Sequence, residues 1–142
     1  MVEMHLEVHV VPVTDVERSK QFYESLGWPL DSDIEPGGDV RIVQFTPPGS
    51  ACSVTFGQGI TPAAPGSAQG VLTVSDIETA HADFAGRGIK TSDMWHGAPF
   101  PPEARLPGPD PDHTSYQSFF SFNDPDGNRW IVQEVTTRPA NP

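Results

Sequence analysis

The feature that most constrains this chain is that its landmarks occur twice. Asp15 and Gly27 stand 12 positions apart, and so do Asp76 and Gly88. PVTDVE around the first Asp matches TVSDIE around the second. TPPGSACSVTFG from Thr46 likewise matches DPDGNRWIVQEV from Asp124, setting Gly49 opposite Gly127. Self-similarity of this kind marks a duplicated structural unit. The copies are unequal in length: Asp15 to Gly49 spans 34 positions and Asp76 to Gly127 spans 51, so the second carries 17 more. The surplus coincides with 97–113, and six of the 16 prolines lie between Pro99 and Pro111.

Each copy reads as β-α-β-β-β. In the first, the β-branched run Met4 to Val13 predicts a buried strand, and Thr14 or Asp15 can cap the helix that follows. Val16, Phe22, Tyr23 and Leu26 recur at near-helical spacing, and Gly27 suits a left-handed C-cap. Three extended stretches follow at Trp28–Ile34, Val40–Phe45 and Cys52–Phe56, separated by the turn clusters EPGGD and TPPGS. The second copy repeats the order with a strand over Gly70–Val74 and a helix in which Ile77, Ala80, Phe84 and Ala85 share a face. Ile89–Trp95 is expected to extend, and Ser118–Phe122 to join Arg129–Val135 through NDPDGN, whose Asp-Gly pair is a strong turn signal. The expected organisation is a first module over 1–60, a linker over 61–69, and a second module over 70–142 with a Pro-rich loop inserted at 97–113.

Nineteen acidic against eight basic side chains give a formal charge of −11, which repels nucleic-acid phosphates and anionic headgroups. Nucleic acid and membrane are therefore not expected partners. No run of 18 apolar residues occurs, MVEMHLEVHV lacks the basic start of a signal peptide, and the single Cys52 cannot form an intramolecular disulfide. The expected compartment is the cytoplasm, with Cys52 a buried inert thiol. No nucleophile elbow, phosphate-cradling glycine loop or dinucleotide fingerprint is present.

VTDVERSKQFYESLGW near the start and FNDPDGNRWIVQEV near the end, together with the repeat, resemble the vicinal oxygen chelate superfamily. That group contains glyoxalase I, extradiol dioxygenases and bleomycin-binding proteins. The resemblance implies an α+β fold of two tandem βαβββ modules forming a curved mixed sheet around a cavity, often in a homodimer. It does not imply one reaction, because function is argued from the site. In the superfamily's catalytic members a divalent metal is held by His, Gln and Glu from the first and last strands of each module. Those positions here are Val8, Ser53, Gln69 and Ile131, of which only Gln69 is a usual ligand. The expectation is no metal and no cofactor. His5, Glu7 and His9 alternate on the other face of the first strand, and Glu134 is out of register with Ile131, so all four are given surface or packing roles.

On the same alternation, Val8, Val10, Pro12, Ser53, Thr55, Gln69, Val71, Thr73, Ile131 and Gln133 would line a concave, mainly apolar surface, joined by Trp95, Arg105 and Phe120. Filling of that space by the same side chains as core is the competing reading. The inserted segment offers His96 and His113 as proton carriers and Tyr116 as a hydrogen-bond donor. The resulting expectation is a metal-independent binder of a hydrophobic or aromatic metabolite or antibiotic, sequestering it or converting it as a lyase or isomerase. Two alternatives stand beside it: a metal-dependent glyoxalase- or dioxygenase-type enzyme with displaced ligands, and a non-catalytic structural or regulatory dimer.

Overall fold

The computed structural model describes residues 1–98 and 101–138. The chain forms two compact units, one comprising Met1–Ala68 with Asp124–Arg129 and the other Gln69–Asn123 with Trp130 onward.

The first unit holds β1 (Val8–Val10), α1 (Val16–Ser25), β2 (Leu30–Gly37), β3 (Val40–Phe45) and β4 (Ser53–Gln58), with the strands in the order β1-β4-β3-β2. β1 runs parallel to β4, pairing Val8 with Ser53, His9 with Val54 and Val10 with Thr55. Asp15 rather than Thr14 caps α1, its carboxylate accepting from the Arg18 amide at 3.1 Å. The helix lies on the sheet face that carries Phe45 and Phe56. Tyr23, fully buried, sits 6.2 and 5.3 Å from those rings and 5.5 Å from Trp28. Period-two alternation then turns Ser53 and Thr55 to the opposite face.

Two expectations need correcting here. Met4–Val13 is not one buried strand: pairing begins at Val8, Glu7 supplies one carbonyl to the Ser53 amide, and Met1–Glu7 are exposed because β4 has no residues opposite them. β2 also continues through Glu35 and Pro36, where the EPGGD cluster predicts a turn. As the sheet's edge strand it tolerates a proline that cannot donate to a ladder.

In the second unit, β5 (Gln69–Val74) leads to α2 (Ile77–Gly86), β6 (Trp95–Gly97), a 3-10 turn (Pro102–Ala104), β7 (Arg105–Pro107), β8 (Ser118–Asn123) and β9 (Arg129–Glu134), ordered β5-β9-β8-β6-β7 in the sheet. Asp76 caps α2 as Asp15 caps α1. Phe84 and His81 of α2 meet Phe120 edge-on at 5.3 and 5.0 Å, and Phe84 also meets Phe122 at 5.1 Å. The duplicated glycines adopt matching left-handed conformations, Gly27 and Gly88 at φ 81° and 78°, Gly49 and Gly127 at 85° and 91°. Within 97–113, of which 99 and 100 lie outside the described residues, the rest departs from expectation. Instead of an unstructured loop it supplies β7, which pairs with β6 as an added edge hairpin. The strand expected at Ile89–Trp95 does not form over that range: β6 begins only at its last residue, Trp95, and an isolated Thr91–Phe122 bridge precedes it.

Candidate functional site

The face of the second sheet turned away from α2 carries an aromatic floor. Trp95 of β6 lies opposite Phe119 of β8, and the two rings stack with centroids 5.5 Å apart and planes 17° from parallel. Ile131 completes the cluster, and all three are at least 95% buried. On β9, Gln133 shares Ile131's face, and its amide donates to the Tyr116 carbonyl at 3.1 Å. From β7, Arg105 places its guanidinium carbon 4.0 Å from the centre of the Trp95 ring. Although buried, the Trp95 Nε1–H meets no acceptor among the described residues. A buried donor left unmatched costs about 1–3 kcal/mol, so it calls for an explanation.

Phe120 is not part of this floor. Successive strand residues face opposite ways, and Phe120 points to α2 as core while its neighbour Phe119 faces the floor. Gln69, Val71 and Thr73 lie exposed on β5, on the side away from Gly70, where an added Cβ would come within 2.5 Å of the Trp130 ring. The remaining lining candidates belong to the first unit. Val8 and Val10 share a face with Ser53 and Thr55, which are buried and bonded to β3 and its end: Ser53 to the Thr46 hydroxyl at 2.7 Å and Thr55 to Gln44 at 3.4 Å. Cys52 is half-buried rather than buried.

The three side chains nominated for proton transfer do not converge. His96 turns to the face opposite Trp95, where its Nδ1 lies 2.8 Å from the Gly108 carbonyl. His113 Nδ1 is 2.9 Å from Glu134. Tyr116 takes a left-handed backbone at φ 73° and donates its amide to the Glu134 carbonyl. Glu134, given a surface or packing role from sequence, is only 1% exposed, and its Oε2 accepts the Ile77 amide at 2.8 Å, at the first turn of α2. Its signal, an acidic residue at a strand end near a helix start in space, has no local counterpart in the sequence. Among the described residues no three His, Cys, Asp or Glu side chains gather to hold a metal.

The hydrogen bond and charge of Glu134, with Glu78 and Asp76 of α2 adding to them, raise the His113 pKa above its ordinary 6.5. On the same segment, hydrogen bonds from Thr114 lower the Asp110 carboxyl below its ordinary value, and the positive charge of His113 adds to the effect. A raised folded-state pKa stabilises fully below the unfolded value, and the contribution is lost as pH climbs through the folded one. The melting-temperature gap between wild type and His113→Gln should therefore be widest in mildly acidic buffer and close in alkaline buffer. A gap that widens with rising pH would contradict this sign.

A second polar centre lies in the first unit. Asp33 accepts two hydrogen bonds from Arg41, at 3.0 and 2.7 Å, and one from Lys20 at 2.9 Å; these hold its carboxyl far below the usual range. Arg41 also pairs with Glu17 at 2.6 Å. It borders an open cleft of about 620 Å³ at the start of α1. Its guanidinium is thus committed to two carboxylates, Asp33 and Glu17.

Known proteins show the same architecture. TnmS3, an antibiotic binding protein from Streptomyces sp. CB03234, is 28% identical, with 95% of this chain and 98% of that one covered at a TM-score of 0.70. A glyoxalase/bleomycin resistance protein from the same organism is 27% identical over 92% and 100%, at 0.67. A superfamily protein from Sphaerobacter thermophilus, 23% identical over 93% and 98% at 0.67, shares the fold. No curated protein matches the chain. No helix among the described residues is long and apolar enough to cross a membrane. The family profile matches residues 5–132, nearly the whole chain, and with its two helix-backed mixed sheets the protein belongs to the Glyoxalase/Bleomycin resistance protein/Dioxygenase superfamily.

Proposed function

We propose that this protein binds a hydrophobic or aromatic metabolite or antibiotic on the Trp95–Phe119–Ile131 floor and protects by sequestration. The observation that carries the reading is the stacked Trp95–Phe119 pair with Arg105 above it. The cluster is at least 95% buried, and an enclosed apolar lining with a few placed polar groups is how small-molecule sites are built. The likeness to TnmS3, an antibiotic binding protein, supports the same class of ligand. Engagement of His113 by Glu134 and of His96 by the Gly108 carbonyl favours holding over turnover. Binding without a metal is part of the proposal, since Val8, Ser53 and Ile131 offer no usual ligand at three of the four positions where the superfamily's enzymes place one. A cytoplasmic homodimer is the form in which we expect it to act.

The test is a thermal-shift panel of planar aromatic antibiotics and metabolites. A true ligand at 100 times its dissociation constant adds about 2.7 kcal/mol of stability, and Phe119→Ala should abolish that shift. If no compound raises the melting temperature, the reading falls in favour of a structural or regulatory dimer. Stoichiometric zinc, nickel, iron or manganese in protein purified without a His-tag would overturn the metal-free part.

A further inference from the structure

The stretch leading into β1 alternates with a period of two. Val2, Met4 and Leu6 continue the parity of Val8 and Val10, while Glu3, His5 and Glu7 occupy the places between. A strand with one apolar and one charged face needs this pattern. Yet the three apolar side chains are each 75% exposed or more, because pairing with β4 begins only at Val8. Strand-patterned chain left open to water at a sheet edge is a template for pairing with another chain. Along β1 the backbone points the same way. β1 is the outermost strand of its sheet, with β4 on one side. The Glu7 carbonyl accepts the Ser53 amide and the Val11 amide donates to Thr55, so odd-numbered residues turn their backbone groups toward β4. Successive residues send those groups to opposite sides, and the even-numbered, apolar residues direct theirs outward.

Two copies of this strand laid antiparallel must therefore set even residues opposite even residues, and their charges select one register. With His5 on the two-fold axis, Glu3 would face Glu7; with Glu7 on the axis, it would face itself. Like charges directly opposite destabilise a ladder. With Leu6 on the axis, His5 faces Glu7 on both sides of it, Leu6 meets Leu6, Met4 meets Val8, and Val2 meets Val10. Centring on Met4 also joins unlike charges, Glu3 with His5, but it covers only residues 1–7 and leaves the outward groups of Val8 and Val10 uncovered. His5 Nε2 already lies 3.1 Å from Glu3 of its own strand, so in the Leu6 register the imidazole stands between two carboxylates.

We propose that the partner of this segment is the same segment of a second copy: Val2–Val10 of two chains pair antiparallel about Leu6, joining their first-unit sheets edge to edge. The inference rests on the homodimer put forward above and supplies its interface. A two-fold contact of this kind uses the same patch on both chains and closes on itself. The opposite edge of the sheet, β2, carries Pro36 and two breaks in its register with β3, features that oppose further strand addition, so the assembly stops at two.

Sedimentation equilibrium should find the wild-type protein dimeric and Leu6→Lys, which sets two lysines face to face on the axis, bound about tenfold or more weakly. Leu6 is exposed in the single chain, so the substitution removes no contact of its fold. The register is read by cross-linking. An equimolar mixture of His5→Cys and Glu7→Cys proteins, each also carrying Cys52→Ser, should form a disulfide-linked mixed dimer on mild oxidation, identified by its mass. The two positions are directly opposite at a non-hydrogen-bonded pair, with Cα atoms about 4.5 Å apart, a separation a disulfide spans. Each protein alone should cross-link far less. A monomeric wild type would overturn the homodimer and this interface together. A dimer undiminished by Leu6→Lys, or a mixture that cross-links no better than either protein alone, would overturn this interface and leave the homodimer to another surface. The aromatic floor lies in the other unit, and the thermal-shift panel tests it separately.

Discussion

Asp124→Ala should destabilise the protein by about 4 kcal/mol, the largest effect expected of a single substitution outside the aromatic floor. The carboxylate is 95% buried and accepts four hydrogen bonds. Oδ1 takes the amides of Asp126 and Asn128 at 3.0 and 2.9 Å; Oδ2 takes the Tyr23 hydroxyl and the Asn128 side-chain amide at 2.9 and 2.8 Å. Asn128 in turn donates to the Pro12 carbonyl at 2.8 Å and accepts the Ala68 amide at 3.0 Å, so one side chain organises three stretches of the first unit. Alanine would leave these donors buried and unpaired, each costing about 1–3 kcal/mol before the site relaxes. Urea denaturation should show a lower midpoint with an unchanged slope. Asp124→Asn, which keeps one acceptor but turns an NH₂ toward donors, should fall between. A loss below about 1 kcal/mol for the alanine variant would show that water replaces the carboxylate, and the network would lose its structural role.

Glu134→Ala is expected to cost about 3 kcal/mol, with a different signature. Its carboxylate caps α2 from outside the helix by accepting the Ile77 amide at 2.8 Å, while Asp76 accepts the Thr79 amide at 3.1 Å. A negative group at a helix N-terminus also meets the favourable end of the helix dipole. The same carboxylate holds His113, and through it the segment that follows β7. Loss should therefore appear as faster amide exchange both in the first turn of α2 and around His113–Tyr116, accompanying a fall in melting temperature. Glu134→Gln, retaining one acceptor, should restore protection at Ile77 more than at His113. Fast exchange confined to residues 113–116 would mean that Asp76 alone suffices as the cap.

How much of this was legible beforehand follows from the range over which each feature is determined. The duplicated helix starts and the glycines that end them could be read directly, with the choice between Thr14 and Asp15 as cap left to the structure, because a cap or a positive φ is imposed by residues three or four apart. The parallel pairing of Val8 with Ser53 agrees with the positions that the resemblance singled out. Facing on β8 could not be read. In SFFSF the aromatics at 119, 120 and 122 fit either parity, and a shift of one residue exchanges the two faces. Phe120 was therefore placed in the site and Phe119 overlooked, until packing against Phe84 and His81 on one side and Trp95 on the other separated them.

The inserted segment shows the same division. Its prolines announced irregularity, but not that Arg105–Pro107 would add a strand beside Trp95 and bring a guanidinium over the indole. Glu134 and His113, 21 positions apart, gave no sign of pairing. The sequence by itself determined the duplicated β-α-β-β-β order, the helix caps and the turns, since those rest on local backbone chemistry. Only the tertiary structure decided which aromatics form the floor, what covers it, and which carboxylates are buried, since those depend on strand register and on contacts between residues far apart in the chain.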